Sequence, residues 1–345
     1  MQVQNRYNYA VGERISIRGF GARAGFGVRG VKVIVDGIPA TMADGQSTLD
    51  HVDIGSLGRA EVLRGPASAL YGNGSGGVLS LQTAEPPDVP FRQIVKGVIG
   101  SNGLTRLESN TAGRYQNTSY LVNLSRLNYD GFRTNPQNPA DPYGTAGRLN
   151  LNTNVSTKFA NGVLRITGNV LDLNAQNPGS LNRSDLDAGV LSARSYNVKQ
   201  NTYKDVRQGQ LGLNWTGNLA NMGAEFTTWG LFRNLDNPIP PRIIDLRRKA
   251  FGSRAVLSSM KNEEPGNLTW SIGTDLDYQR DSRKNFQNKS GTKGSLSLDQ
   301  YETVSAIGFF AQGRTIVNEK ISVMGGARYD YFQFGVTDHL TTNGN

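Results

Sequence analysis

The sequence contains no cysteine among its 345 residues and only two histidines. Disulfides, thiolate metal sites and cysteine nucleophiles are therefore excluded. His51 and His339 stand alone, without the spacing of a metal site, and no nucleophile elbow is present. The sequence thus predicts a protein that is not an enzyme and that has no metal ion or cofactor of its own.

Long hydrophobic runs are also missing. A membrane-spanning helix needs about 20 consecutive apolar residues, but the apolar runs here last only a few positions, as in residues 31–35, which Lys32 interrupts. Glycine is abundant, with 42 residues in the chain, and it favours turns over helix interiors. A helical membrane protein is therefore excluded, and the composition favours strands joined by turns.

The net charge of +9 comes from 37 basic and 28 acidic residues. An excess of positive charge is typical of proteins that bind nucleic acid, an anionic membrane surface or an anionic ligand. The basic residues are scattered among carboxylates and form no stripe, which disfavours nucleic acid. We therefore expect no nucleic-acid partner.

Two segments match the glycine pattern GxGxxG, at residues 25–30 and 72–77. A dinucleotide site needs a strand before this pattern and a helix after it. Each segment here leads directly into a β-rich run, at residues 31–35 and 78–81. We therefore predict tight turns at both places, without a cofactor role.

A proline cluster at residues 86–90 separates two kinds of sequence pattern. Three prolines in five residues cannot continue a helix or an interior strand. Short β-rich runs precede the cluster, whereas long two-residue alternation follows it, most clearly at residues 149–159 and 268–279. We place the domain boundary here, between residues 1–87 and residues 88–345.

Eleven strands are predicted in the second region. Many are about 11 residues long, twice the usual length in soluble proteins but close to the length that crosses a bilayer. A soluble sandwich, with the apolar faces as its core, is the alternative. The strands are predicted near residues 92–101, 105–116, 119–128, 147–159, 163–173, 207–217, 224–234, 250–259, 267–280, 302–316 and 320–334.

The connections between these strands alternate between short and long, which is typical of outer-membrane barrels. A soluble meander has no reason to keep that parity. The long connections are polar and suit either solvated surface or a binding mouth. They are residues 129–146, 174–206, 235–249 and 281–301, and residues 102–104 are a short exception among them.

Four motifs in the first region resemble the plug of TonB-dependent outer-membrane receptors, and they occur in the family's order. Residues 308–312 (GFFAQ) and 325–330 (GGARYD) also resemble paired barrel strands of that family. The plug motifs are residues 15–20 (ISIRGF), 35–39 (VDGIP), 59–72 (RAEVLRGPASALYG) and 76–78 (GGV).

The resemblance implies an all-β-dominated fold, an antiparallel transmembrane β-barrel with a small mixed α/β plug domain. Plugged barrels of this kind have 22 strands, so about half are present and we expect a fragment of a longer receptor. Residues 1–87 would be the C-terminal part of the plug, and residues 88–345 the N-terminal half of the barrel.

The same resemblance implies active uptake of a scarce ligand into the periplasm across the outer membrane of a Gram-negative bacterium. The partners would be outer-membrane lipid, a small anionic ligand, and the protein TonB through a segment that this chain lacks. The alternative is a passive porin or an adhesin-like barrel, which would need no plug.

In this family, the arginines of the RGF and RGP motifs face carboxylates of the barrel wall and lock the plug in place. The resemblance assigns this role to Arg18 and Arg64, with Glu61 in the same network. Their partners would lie on later strands that this chain lacks. A guanidinium suits carboxylates because it presents a planar fork of donors; hydrogen bonds to carbonyl groups within the plug are the alternative.

The plug loops that meet the ligand in this family follow the RGF and DGIP motifs. They would present cationic, aromatic and polar groups to an anionic, conjugated ligand; ordinary loop surface is the alternative for each residue. The residues assigned in this way are Arg23, Phe26, Arg29, Met42, Asp44 and Gln46.

The plug turns at residues 18–30 and 36–46 are closer still to the subgroup of receptors for pyrroloquinoline quinone. That ligand carries three carboxylates on a flat ring system, which suits arginine and aromatic contacts. Ferric siderophores are the commonest cargo of the family at large. Both ligands remain candidates on sequence grounds.

Overall fold

The computed structural model describes residues 1–4, 8–25, 27–64, 70–72, 74–260 and 264–340. Within these ranges, the chain forms a small domain of short strands that lies against the concave side of one large antiparallel sheet. No helix of the described residues is both long and apolar enough to span a membrane. We call the small domain the plug and the large sheet the wall.

The plug consists of short strands because glycine-rich turns interrupt its β-rich runs. These strands are β1 Gln2–Gln4, β2 Arg14–Ser16, β3 Val28–Arg29, β4 Lys32–Val35, β5 Ile38–Pro39, β6 Gln46–Ser47, β7 Leu57–Leu63 and β8 Val78–Thr83. The central sheet has the order β5-β4-β8-β7, in which β4 and β8 are parallel. Its core is aliphatic and includes the fully buried Val28, Val31 and Val33.

The wall contains eleven strands, and every pair of neighbours is antiparallel. This confirms the predicted all-β fold and its strand number. The strands are β9 Arg92–Ile99, β10 Thr105–Tyr115, β11 Thr118–Tyr129, β14 Ala146–Phe159, β15 Gly162–Gln176, β16 Tyr203–Leu219, β17 Met222–Ile239, β18 Arg242–Ser259, β19 Leu268–Lys289, β20 Thr292–Asn318 and β21 Ile321–Asp338.

Two of the long connections carry secondary structure of their own. The connection between β11 and β14 forms a hairpin, β12 Arg133–Asn135 and β13 Asn138–Tyr143. The connection between β15 and β16 forms two short helices, α1 Arg183–Asp187 and α2 Ser195–Lys199. We call this end of the wall the long-loop rim, and the opposite end the short-turn rim.

The other two predicted long loops, residues 235–249 and 281–301, are not loops. They are the ends of long hairpins, in which β17 and β18 meet at residues 240–241 and β19 and β20 meet at residues 290–291. The ladder of backbone hydrogen bonds continues there, although the apolar alternation stops. Sequence periodicity missed these ends because the signal depends on an apolar face, which the hairpin no longer needs beyond the bilayer.

The wall has the burial pattern of a barrel in lipid. Outward apolar side chains are exposed, as with Leu211 at 59% and Ile272 at 46%, whereas polar side chains such as Asn123, Asn150 and Gln208 are buried on the inner face. A soluble sandwich would bury the apolar face instead. This distribution therefore excludes the sandwich and agrees with apolar residues facing lipid.

We predict that charge on the two faces of the wall has unequal costs. Ile272→Arg places a cation on the lipid-facing side and is expected to destabilise the full-length protein by about 2 kcal/mol, because lipid solvates no charge. Asn154→Arg is the matched control, since Asn154 lines a polar cavity inside the wall. Equal costs in a folding titration into lipid vesicles would contradict the assignment of the two faces.

Candidate functional site

The plug contacts the wall chiefly through one segment, residues 44–53, which carries three aspartates. We call it the acidic loop. Strand β6 holds its first part against β3, and the 3-10 turn Ile54–Ser56 holds its end, because the Asp53 carboxylate accepts from Gly55 N at 3.0 Å. Each of the three aspartates reaches a basic residue of a different part of the wall.

Asp50 forms the most deeply buried of these contacts. Lys204 Nζ donates to both of its carboxylate oxygens at 2.9 Å, and Arg233 Nη2 donates to Oδ2 at 2.7 Å. Burial alone would raise the pKa of Asp50, but the two cations outweigh it and hold this pKa well below its ordinary value. Asp50 is therefore ionised and paired with β16 and β17 together.

Asp53 joins the plug to the first strands of the wall. Its carboxylate accepts from Arg106 Nη2 at 2.5 Å and also from the Ser125 hydroxyl, on strands β10 and β11. Burial opposes ionisation here too, but the hydrogen bonds from Ser125 and Gly55 and the charge of Arg106 together lower the pKa of Asp53. This second contact lies several strands away from that of Asp50.

Asp44 makes the third contact, at strands β18 and β19. Arg248 Nη2 donates to Asp44 Oδ2 at 3.0 Å and to Asp281 Oδ2 at 2.7 Å, so one guanidinium bridges plug and wall. Gln279 Nε2 donates to the same oxygen of Asp44 at 3.2 Å. The acidic loop is thus tied to four wall strands by ionic contacts and to two more by the uncharged donors Ser125 and Gln279.

Backbone carbonyls of the acidic loop region are also held by wall side chains. Arg148 donates to the carbonyl of Val52 at 2.7 Å, and Asn169 donates to the carbonyl of His51 at 3.2 Å. The His51 side chain is buried, and within the described ranges its Nδ1 has no hydrogen-bond partner. Burial, reinforced by the charge of Arg233, lowers the pKa of His51 to about 4, so the ring is neutral at pH 7.

A second set of wall arginines binds the plug near the short-turn rim. Arg254 and Arg328 each donate to the carbonyl of Leu70 at 3.2 Å, and each also pairs with Asp275, at 2.8 and 2.7 Å. The guanidinium of Arg254 lies 5.2 Å from the centre of the Tyr71 ring. Here the arginines belong to the wall, and the plug supplies a carbonyl and a ring.

Between the plug sheet and the wall lies a polar cavity of about 600 Å³. It opens between strands β4 and β8 on one side and the short-turn half of the wall on the other. Charged residues of both signs line it, so it suits water and small polar solutes. They are Lys32, Asp36, Glu85, Arg114, Arg165, Glu225, Arg254, Asp275 and Asp277.

The residues assigned to the plug lock do not meet the wall within the described part of the chain. Arg18 is exposed at a turn and Arg64 is exposed after β7. Glu61 pairs instead with Arg59 on the same strand. Residues 65–69 of the RGP motif lie outside the described residues. The lock stays a prediction.

The residues assigned to ligand binding divide into two groups. Arg23 is exposed, and Arg29 is exposed and donates to Gln46 Oε1 at 3.1 Å and to the carbonyl of Asp44 at 3.2 Å. Met42 is buried in a cluster with Ile38, Trp229, Leu231 and Ala250. Phe26 lies outside the described residues.

Asp44 faces Arg248 and, like Met42, contacts the wall. The ligand role of the set stays a prediction, with Arg23, Arg29 and Gln46 the accessible members. The wall partners of the acidic loop were missed by sequence reasoning. The two-residue alternation of the strands could have indicated them. Lys204, Arg233 and Arg248 occupy inward positions of strands whose alternate residues are apolar or exposed.

The first domain matches a family model. The model described as the TonB-dependent receptor plug domain matches residues 1–78. The pesticin receptor of Yersinia enterocolitica is 32% identical over 133 residues, which are 38% of this chain and 19% of that receptor. The hemin receptor of the same species is 34% identical over 79 residues, 23% of this chain and 11% of that receptor.

Solved structures share the fold of nearly the whole chain. The ferric yersiniabactin uptake receptor of Yersinia pestis superposes with a TM-score of 0.78 at 17% identity, over 98% of this chain and 55% of that one. The unliganded ferric citrate transporter gives 0.79 at 16% identity, over 99% and 53%. The chain thus spans about half the length of these receptors, and at these identities the likeness shows a shared fold.

We predict that Asp50 is required for plug docking. Asp50→Asn leaves Lys204 and Arg233 buried without their counter-charge, which costs about 3 to 5 kcal/mol. Hydrogen exchange of residues 48–56 in the full-length protein should accelerate, while the wall stays folded. Asp88→Asn is the control, because the Asp88–Arg114 pair is exposed at 3.5 Å and contributes little. Unchanged hydrogen exchange in Asp50→Asn would refute the role of Asp50 in plug docking.

A second prediction concerns acidification. The folded-state pKa of His51 is about 4, below the value of about 6.5 for an unfolded chain. Because of this difference, the docked acidic loop has its full stability above about pH 6.5. Its free energy of opening decreases as the pH falls toward 4, by about 2 kcal/mol at pH 5. After correction for the slower intrinsic exchange at low pH, the protection factors of the acidic-loop amides should therefore fall as the pH is lowered from 7 to 5.

His51→Gln should remove most of this dependence, since no imidazole then gains a proton on opening. His339→Gln is the matched control, because His339 is exposed. A His51→Gln protein with the wild-type pH dependence would contradict the assignment.

Proposed function

We propose that this chain forms the plug and part of the barrel wall of a TonB-dependent receptor that imports a scarce ligand across the outer membrane. The observation that carries the proposal is the docked plug: a domain matching the family's plug model lies inside a lipid-facing wall and is tied to it by buried ionic contacts. A passive porin needs an open lumen, and a plug docked on the inner face of the wall would close it.

The type of contact between plug and wall supports energised transport. Apolar contact between plug and wall forms one cluster around Ile38 and Met42 and another around Tyr9 and Ala10, and the three aspartates and the polar cavity supply the ionic and hydrated parts of the interface. Ionic contacts around hydrated space can be exchanged for water more easily than a packed apolar core. We infer that TonB acts on the plug to open a path along the polar cavity.

For the cargo, we propose a ferric chelate of the siderophore type. The similar structures include proteins named for ferric yersiniabactin and ferric citrate, and such chelates are commonly anionic. Exposed Arg23 and Arg29 supply cationic donors that suit an anion. Pyrroloquinoline quinone is the second candidate, favoured by the resemblance of the plug turns at residues 18–30 and 36–46.

The two arginine pairs of the plug are expected to have separable roles. In the full-length receptor, Arg23→Gln with Arg29→Gln should weaken binding of its cargo roughly 10- to 100-fold, since each bond to a charged group contributes about 1.5 to 3 kcal/mol and not every one is lost. Arg18→Ala with Arg64→Ala should instead loosen the plug and admit large antibiotics.

Uptake of ferric siderophores and of pyrroloquinoline quinone is measured beside antibiotic sensitivity. Arg183→Gln, on exposed helix α1, is the control and should change neither. If both pairs of variants behave alike, the division of roles is wrong. If neither cargo is taken up by the wild type, the cargo assignment fails; if uptake persists without TonB, energised transport fails.

A further inference from the structure

Polar and charged residues flank one apolar group on the inner face of the wall. Trp229 and Leu231 on β17 and Ala250 on β18 belong to this group, and all three are buried. They form one cluster with Ile38 and Met42 of the plug. We call these five residues the central apolar cluster.

Toward the long-loop rim, the central apolar cluster borders the ionic contacts of the acidic loop. Arg233 of β17 and Arg248 of β18 are direct cross-strand partners, and both bind aspartates of that loop. Leu231 and Ala250 are the next inward pair of the same two strands. Inward residues of one strand are two positions apart, roughly 7 Å, so the cluster begins directly beyond the ionic row.

Toward the short-turn rim, the central apolar cluster borders the polar cavity. Trp229 and Gly252 form the next inward pair, and Thr227 and Arg254 follow them. Trp229, Thr227 and Arg254 all line the polar cavity. The cluster therefore lies between the cavity and the acidic loop, where any path along the inner face of β17 and β18 has to pass.

Two wall glycines make room for the side chains of the cluster. Gly212 of β16 is the cross-strand partner of Trp229, and a Cβ at Gly212 would overlap Cδ1 of Ile38. A Cβ at Gly252 would lie 2.7 Å from Nε1 of Trp229. Ile38 thus reaches the backbone of the wall. Only 4% of Ile38 and 6% of Met42 stay exposed, so the contact leaves little space for water.

A tight turn of the plug presents Ile38 to the wall. Asp36 and Gly37 both have positive φ, 51° and 84°, and these two residues join β4 to β5 as a hairpin. The Asp36 carboxylate accepts from Thr83 N at 2.8 Å, which ties the turn to β8. Ile38 follows the turn directly, so a displacement of the plug sheet would carry Ile38 away from the wall.

We propose that the central apolar cluster is the constriction that closes the path between the plug and this part of the wall, and that withdrawal of Ile38 and Met42 opens it. The proposal rests on the uptake function proposed above and adds the place at which the path is closed. Packed apolar side chains exclude water and therefore block ions and polar solutes. Their withdrawal would join the ionic row to the polar cavity along β17 and β18.

The first test measures ion current through the purified full-length protein in planar lipid bilayers, without cargo or TonB. The variant I38S/M42S should raise the time-averaged current roughly 100-fold over the wild type, because each buried apolar side chain shifts the closed–open equilibrium by about tenfold. The variant I38L/M42L keeps apolar side chains and should stay closed. Y9S is the matched control, since Tyr9 packs against the wall in the other apolar cluster.

Hydrogen exchange of residues 48–56 is followed in the same variants and should be unchanged in I38S/M42S. Equal currents in I38S/M42S and the wild type would overturn the proposal. A current of similar size in Y9S or I38L/M42L would also overturn it. So would a current that appears together with faster exchange of the acidic loop, because the whole plug would then have loosened.

A second test asks whether the constriction has to open during uptake. A Cβ at Gly212 would lie 3.0 Å from Cγ1 of Ile38, which is compatible with a disulfide between cysteines at these two positions. With ferric siderophores and pyrroloquinoline quinone offered, the oxidised I38C/G212C receptor should lose import and regain it on reduction. Equal import by the oxidised and reduced forms would overturn the proposal. If the wild type imports neither compound, the cargo assignment fails, and the current measurement decides on the constriction.

Discussion

Charge pairing between the acidic loop and the inner face of the wall is the constraint on which the rest of the molecule depends. Asp50 and Asp53 remain ionised beside the inner face of the wall because cations of the wall lie within hydrogen-bond distance, and Asp44 forms an ion pair with Arg248. A buried carboxylate without such partners would take up a proton or leave the interior. Four wall cations therefore fix the position of the acidic loop on the wall.

The wall tolerates these cations because its burial pattern is the reverse of that of a soluble protein. Lipid covers the outer face, which is apolar, so the inner face is free to be polar and charged. A buried ion pair adds little net stability compared with apolar packing, but the loss of one partner is costly. Such contacts give the plug a defined seat without an extensive apolar core. Ionic contacts without an extensive apolar core suit a domain that stays docked until another protein displaces it.

The two faces of the wall contact different surroundings. Inward residues such as Lys204 and Arg233 bind the plug, and the residues next to them along the strands face the membrane. On β18 the alternation is especially direct: Arg248 binds Asp44 inside the wall, while Arg247 and Lys249 point outward. One strand thus presents different side chains to the plug and to the outside, and the pleat of the strand keeps the two sets apart.

The all-β class, the eleven strands of the wall and their outward apolar positions could be predicted from sequence alone, because two-residue alternation is a local property of each strand. It missed the extended hairpins after Leu235 and Asp281, where both faces meet water and the alternation fades. It assigned Met42 and Asp44 to a ligand loop, which stays a prediction, and it did not reveal that both contact the wall. The partners of the acidic loop lie 53 to 235 residues away along the chain. Only the tertiary structure decided which aspartate meets which cation, since that pairing depends on strand register and on the seat of the plug inside the wall.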